Sequence, residues 1–285
     1  MTEVKMHDVE QVVSAQVLPS GSADLTKFTQ LVRQRSPFTF VRFSDGEIEI
    51  LRNRKLVISS GVTEFRGKKF SNQFPEFDQK RFDPQNSQDM RSDLLTSALF
   101  NGSAYFKGIP TRHNHAIGDR EFMLRLNGGF SPQMTFSDLF LNENFIRARS
   151  DFFPFAVSRY NHLLVVGNWR CELKSYLSKG NLVQIPDNFF ATYQQTLENV
   201  LGRLEEAPES TLVLSSASSL SNVLGYRLRQ SRSDMTFLDI GTVLNDLIGL
   251  PLNTRAYHKI MNTLTLVERF AAWRYRFHNE YQLRW

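Results

Sequence analysis

Asp45 and Glu47 stand two positions apart, with Gly46 between them, directly after the run Phe38-Thr39-Phe40-Val41-Arg42-Phe43. Two hard carboxylates this close can reach one divalent cation or its bound waters, and Mg²⁺ and Mn²⁺ favour oxygen ligands and often bridge to substrate phosphates. Gly46 lets the backbone approach a ligand closely. The same acids also suit the first turn of a helix, where they face its positive end. Spacing alone leaves both roles open.

Further groups could do chemistry. Arg112, His113 and His115 form a dense polar knot; they could hold phosphate or acceptor hydroxyls, and His113 could serve as a base. His-x-His matches no zinc signature, and a solvated loop is the plain alternative. Asp119, Glu121 and Asp187 are further candidates for a general base, and nothing in the sequence ranks them. Ser215-Ser216-Ala217-Ser218-Ser219 is a small-residue turn leading into a helix. Ser216, Ser218 and Ser219 could meet a diphosphate or ribose at the helix N-terminus, or simply cap the helix. The chain lacks Gly-x-x-x-x-Gly-Lys-Ser/Thr and Gly-x-Gly-x-x-Gly, which argues against P-loop and dinucleotide sites.

The elements that must position these residues are legible in outline. Leu25, Phe28, Leu31 and Val32 recur at helical spacing and predict a helix over 22–34. Strands are predicted at 38–43, 105–109, 162–166, 182–185, 211–214 and 236–240, with helices at 171–177, 190–204 and 221–229. The stretch 60–92, broken by Gly61, Gly67, Pro75 and Pro84, reads as loops with short helices, and the Phe-rich stretch 118–160 resists assignment. Strands alternating with helices imply βαβ units, and near-continuous apolar strands imply a mostly parallel sheet covered on both faces, an α/β Rossmann-like architecture. Such sheets bind ligands beyond the carboxyl ends of their strands. Ser44-Asp45-Gly46-Glu47, Asp187, Ser215–Ser219 and Asp239 all stand at predicted strand ends.

Phe40-Val41-Arg42-Phe43-Ser44-Asp45-Gly46-Glu47 resembles the opening motif of the GT-D-type bacterial glycosyltransferases, which reads roughly Phe-x-Arg-Phe-Gly-Asp-Gly-Glu. The resemblance continues through Leu163-Leu164-Val165-Val166-Gly167, through Leu212-Val213-Leu214-Ser215 to Asn222-Val223-Leu224-Gly225-Tyr226-Arg227-Leu228, and through Leu238-Asp239-Ile240-Gly241. It implies a GT-D-like fold, a metal ion (Mn²⁺ or Mg²⁺) on Asp45 and Glu47, and a UDP-sugar held near Arg42, Ser44, Gly46 and Asp239. It also implies inverting hexosyl transfer to a glycan or lipid-linked glycan acceptor, in cell-surface polysaccharide or glycoprotein glycan synthesis. Three positions depart from the pattern: Ser44 replaces Gly, Thr242 stands where the family tends to have His, and Ser216-Ala217-Ser218-Ser219 replaces a Gly-Pro-Thr-Ala-like turn.

The bulk numbers set bounds. The chain has 285 residues, 41% hydrophobic and 22% charged, with 24 Phe; it can fill a sizeable core. The net charge of +5 suits an anionic partner without choosing one. A lone cysteine, Cys171, allows no internal disulfide and fits a reducing, cytoplasmic setting. The expected organisation is a flexible leader over 1–20, a glycosyltransferase domain over 21–250 and a helical C-terminal extension over 251–285. That extension interleaves aromatic residues with arginine from Phe270 to Trp285. It could pack on the domain or make a peripheral membrane contact. Nucleic acid is not the expected partner. The rival readings are a nucleic-acid binder using that basic aromatic tail, a non-catalytic nucleotide- or sugar-binding module, and a metal-dependent phosphohydrolase.

Overall fold

The structure is a computed structural model and describes residues 21–59, 61–71, 79–111, 116–141 and 144–250. The leader, the C-terminal extension and the group Arg112, His113 and His115 lie outside the described residues.

The β-branched and aromatic run after Pro37 forms β1 (Thr39–Arg42), whose side chains alternate between two apolar layers. Phe40 packs with Phe28, Phe106 and Phe140 on one face, and Val41 with Val223 and Phe237 on the other. β1 lies inside a seven-stranded sheet of order β7-β6-β1-β11-β10-β8-β9. The other strands are β6 (Tyr105–Ile109), β7 (Met134–Phe136), β8 (Leu163–Asn168), β9 (Asn181–Ile185), β10 (Leu212–Ser215) and β11 (Thr236–Asp239). Every pairing in this sheet is parallel.

Helices cover both faces. One face carries α1 (Gly21–Gln34), whose Leu25, Phe28 and Val32 make the predicted apolar stripe. The other carries α2 (Asp45–Leu51), α3 (Gln88–Leu99), α4 (Ile117–Leu126), α7 (Tyr193–Glu205) and α8 (Leu220–Ser231). The Phe-rich stretch resolves into α4, β7, α5 (Phe145–Arg147), a π-helical turn (Ala148–Phe152) and α6 (Phe153–Arg159). Its Phe140, Phe145, Phe152 and Phe153 fill the layer beneath α1. The expected α/β architecture, mostly parallel and sandwiched by helices, is the one observed.

Two expectations need correction. Among the described residues of the stretch 60–92, β3 (Val62–Phe65), β4 (Lys68–Ser71) and β5 (Lys80–Phe82) join β2 (Leu56–Ser59) in a small antiparallel sheet of order β4-β3-β2-β5, and α3 begins at Gln88. Phe65 pairs directly with Lys68 across a two-residue turn, where Arg66 and Gly67 take φ of +54° and +71°. Positive φ at both central residues is the turn that matches strand twist. The helix expected over 171–177 is only a 3₁₀ turn, Ser175–Leu177. Upstream, the amides of Glu172 and Lys174 donate to Ile248 and Leu247 at 2.9 and 2.8 Å, so the backbone there is spent on the neighbouring 3₁₀ turn Asn245–Ile248. No helix among the described residues is long and apolar enough to cross a membrane.

Candidate functional site

β1 and β11, the first and last strands of the large sheet, run side by side, and their carboxyl ends bring Arg42 and Asp239 together. Arg42 Nε lies 3.2 Å from Asp239 Oδ1, and Nη1 donates to the Ser137 carbonyl at 3.4 Å. Asp239 is 2% exposed, and its Oδ1 also accepts the Gly241 N–H at 3.0 Å. Burial raises the Asp239 carboxyl above the usual range, with the Arg42 guanidinium opposing. Gly241, at φ +50°, lies flat against that guanidinium: a Cβ here would fall within 3.0 Å of three of its atoms. Only glycine satisfies both the turn and the close approach.

α2 begins where β1 stops. Glu47 turns back on the helix start, and its Oε2 accepts the Ser44 N–H at 3.0 Å, the acid half of a capping box. Asp45 is exposed, with Oδ1 accepting the Gly46 N–H at 3.0 Å. Glu47 is 8% exposed, and its carboxyl is pushed up to about 7. Burial is the main cause, then repulsion from Asp239; Arg42 opposes and Asp45 adds to the rise. The Asp-x-Glu pair thus opens a helix at the carboxyl end of β1.

Charge decides whether a cation fits. Asp45, Glu47 and Asp239 carry three negative charges when ionised against one positive charge on Arg42, all four groups being electrostatically linked through Glu47. A divalent cation balances that excess. Among the described residues no group of three or more His, Cys, Asp or Glu converges as a metal cage. Two carboxylates with diphosphate oxygens and water completing the shell is the arrangement Mg²⁺ and Mn²⁺ favour. Asp45 and Glu47 are the groups here that could hold such an ion.

The serine turn lies beside this pair. Ser216 Oγ donates to the Gly241 carbonyl at 2.7 Å, and its amide donates to Val166 at 2.8 Å. Ser218 takes φ +53°. Ser219 is buried, and its hydroxyl has no hydrogen-bond partner among the described residues. One residue escaped the sequence reading: Asn222, fully buried on α8, donates its amide to the Arg42 carbonyl at 2.8 Å and fixes the end of β1. The only local signal is a polar residue on the apolar face that Leu220, Val223 and Leu224 present.

The expected bases fall elsewhere. Asp119 lies on α4, buried, and is gripped by Arg52 at 2.6 Å and by Arg66. The Glu121 side chain is 45% exposed and faces Arg125. Asp187 follows β9, three strand positions from β11 across the sheet. It accepts from Asn168 Nδ2 at 2.8 Å, Trp169 Nε1 at 3.1 Å and Arg170 Nη2 at 2.7 Å. Burial alone would raise its pKa; the bonds from Trp169 and Asn168 and the charge of Arg170 outweigh that and hold it below the usual range.

No family model matches the chain, and no curated protein matches it by sequence. Among solved structures, one described as a selenomethionine-substituted structure of domain of unknown function 1792 aligns at a TM-score of 0.51 and 13% identity. That alignment covers 82% of this chain and 84% of the other. A second, described as "The highly conserved domain of unknown function 1792 has a distinct glycosyltransferase fold", aligns at 0.47 and 12% identity, over 84% of this chain and 90% of the other. The first likeness bears out the fold that the sequence resemblance implied.

Proposed function

We propose that this chain is a metal-dependent glycosyltransferase that takes a UDP-sugar as donor and passes the hexose to a glycan or lipid-linked glycan acceptor. One observation carries the reading: Asp45, Glu47, Asp239 and Arg42 meet at the abutting carboxyl ends of β1 and β11, where a parallel sheet binds its ligands. The motif from Phe40 to Glu47 supports the same reaction class.

In this reading Asp45 and Glu47 hold Mg²⁺ or Mn²⁺, which when bound offsets the charge that grows on the departing diphosphate. Arg42, kept in place by Asp239, Ser137 and the flat Gly241 backbone, meets the diphosphate as a preorganised cation. Ser216 and Ser218, both partly exposed, border the same turn. The acceptor oxygen bonds to the anomeric carbon as the bond from that carbon to the diphosphate oxygen breaks. In an inverting transfer the acceptor proton passes to a base on the protein. Asp119 and Asp187 are both tied up by arginines and Glu121 lies beside Arg125, so the reading assigns that role to His113, four residues beyond β6.

Glu47→Gln separates the two roles of Glu47, because an amide oxygen still accepts the Ser44 N–H but carries no charge for a cation. Thermal shift with UDP and Mn²⁺ reads the outcome, since a ligand bound only to the folded state raises the melting temperature. The expected result is a wild-type shift that needs both components, is absent in Glu47→Gln and Asp45→Ala, and is accompanied by near-native stability in both variants. A full Mn²⁺-dependent shift in either variant removes the basis for the assignment.

A further inference from the structure

Trp169 immediately follows β8, on the same edge of the sheet as the Arg42–Asp239 pair, and it is 54% exposed. A lone exposed apolar side chain is ordinary. This one is anchored at every polar atom it has. Its amide donates to the Ile185 carbonyl at 2.9 Å, and its carbonyl accepts Gln184 Nε2 at 2.7 Å. Its indole Nε1 donates to Asp187 Oδ2 at 3.1 Å, and the Arg170 guanidinium lies over the ring, 5.2 Å from the centroid. The other large apolar side chains open to solvent among the described residues, Val62, Leu99 and Ile117, are aliphatic.

Asp187 explains the arrangement. Oδ1 accepts from Asn168 and Arg170, and Oδ2 from Trp169 and Arg170, which fills the roughly four acceptor sites of a carboxylate. An acid so saturated, and held below its ordinary pKa, is a poor proton acceptor and a good clamp. It fixes an indole and a guanidinium at one angle, with exposed Gln184 alongside. A fixed, half-exposed aromatic ring beside planar polar groups is what a pyranose ring needs. The ring's polarised C–H face lies on the electron-rich π face, and its hydroxyls meet the flanking polar side chains.

We propose that Trp169, oriented by Asp187 and flanked by Arg170 and Gln184, is a stacking subsite for a sugar unit of the acceptor glycan. This rests on the glycosyltransferase reading. β8 lies three strand spacings from β1, about 14 Å at the usual ~4.8 Å per strand, so the subsite takes a unit removed from the reacting end of an extended glycan. An open position at the rim of the sheet suits one unit of a longer chain better than a nucleobase, because small ligands are mostly enclosed by their sites.

The test is binding, which separates this proposal from the reaction itself. Purified full-length protein is applied to an array of defined oligosaccharides, and separately to UDP with Mn²⁺ in thermal shift. Wild type is expected to bind a subset of glycans of three or more units. Trp169→Ala should lose about tenfold in affinity for them, and Trp169→Phe should keep part of it. Asp187→Asn, which keeps the side-chain shape but frees the clamp, should fall between the two. All three variants should melt near wild type and keep the wild-type response to UDP and Mn²⁺. Glycan binding unchanged in Trp169→Ala overturns the proposal, as does an absence of wild-type binding anywhere on the array. Loss of the UDP response in Trp169→Ala, with glycan binding intact, would make the ring a base platform instead and also overturn it. A missing UDP response in wild type, by contrast, counts against the donor site and leaves the glycan result to be read alone.

Discussion

Gly241→Ala tests the centre of the site with a single methyl group. Two costs arise. At φ +50° an alanine gives up on the order of 1 kcal/mol relative to glycine. The new Cβ also collides with the far end of the Arg42 side chain, which is flexible and will swing away. That movement breaks the 3.2 Å contact with Asp239 and leaves a carboxylate with 3% side-chain exposure facing no cation. Removing one partner of a buried pair costs about 3–5 kcal/mol, and protonation of Asp239 caps the loss. The cap makes the loss depend on pH. With Arg42 gone, the folded-state pKa of Asp239 rises further above the unfolded value of about 3.9. The folded variant then holds a proton that the unfolded chain has released, so its stability falls as pH rises between those two values. Urea unfolding should show Gly241→Ala losing about 2 kcal/mol at pH 5 and about 4 at pH 7, a gap within the ~1.4 kcal/mol per pH unit that one proton allows. In the double variant with Asp239→Asn the share of the pH dependence that Asp239 carries should be lost, leaving only that of buried Glu47. The thermal response to UDP and Mn²⁺ should be lost in Gly241→Ala. A loss below about 1 kcal/mol that is equal at both pH values, with the ligand response intact, would refute the idea that this glycine holds the arginine in place.

Other expectations follow from the same packing. Lys107 is fully buried on β6, and its Nζ donates to the Ala98 carbonyl at 3.1 Å, to Asn101 Oδ1 at 2.9 Å and to Asn127 Oδ1. Burial pushes its pKa down to about 8, so the folded state sheds this proton before the unfolded chain does. Stability should therefore rise between pH 8 and about 10 by on the order of 1–2 kcal/mol, and Lys107→Met should flatten that rise in denaturant titrations. Above about pH 10 stability should fall again, because burial holds Tyr105, Tyr160, Tyr176 and Tyr193 protonated in the folded state while the unfolded chain ionises. Gly225→Ala places a Cβ 2.6 Å from Val41 Cγ1 and 3.1 Å from the Phe237 ring, prising α8 off the sheet; a loss of about 1–3 kcal/mol is expected by urea unfolding.

How much of this was legible depended on whether the signal was local. β1, β8 and β10 are short apolar runs closed by small or polar residues, so their type and their carboxyl ends could be read directly. The hairpin of β3 and β4 could not. Glu64, Lys68 and Lys69 make its strands polar, and its turn is Arg66-Gly67 rather than the Asn-Gly that signals a hairpin. The acids of α2 and the strand-end Asp239 were legible as types, but their convergence was not. Which strand lies beside β1 is a long-range fact, and it alone joins Asp239 to Arg42. Asp187 was legible as an acid at a strand end, but the donors that surround it were not. Asn222 looked like any polar residue of an amphipathic helix, and only the position of the β1 end beneath it gives it a task.

The adjacency of β1 and β11 also governs when the protein becomes competent. Thr39 pairs with Phe237, so the loop that must close spans nearly the whole described chain. Contacts so distant in sequence form slowly, because closure entropy is lost before the contact repays it. A nascent chain emerging from the ribosome can fold helices and hairpins early, yet β1 waits for β11, the central strand of the sheet, which follows far later in the sequence. Any truncation before Asp239 would leave a sheet with a gap at its middle, so premature stops should yield aggregating fragments rather than partly folded domains.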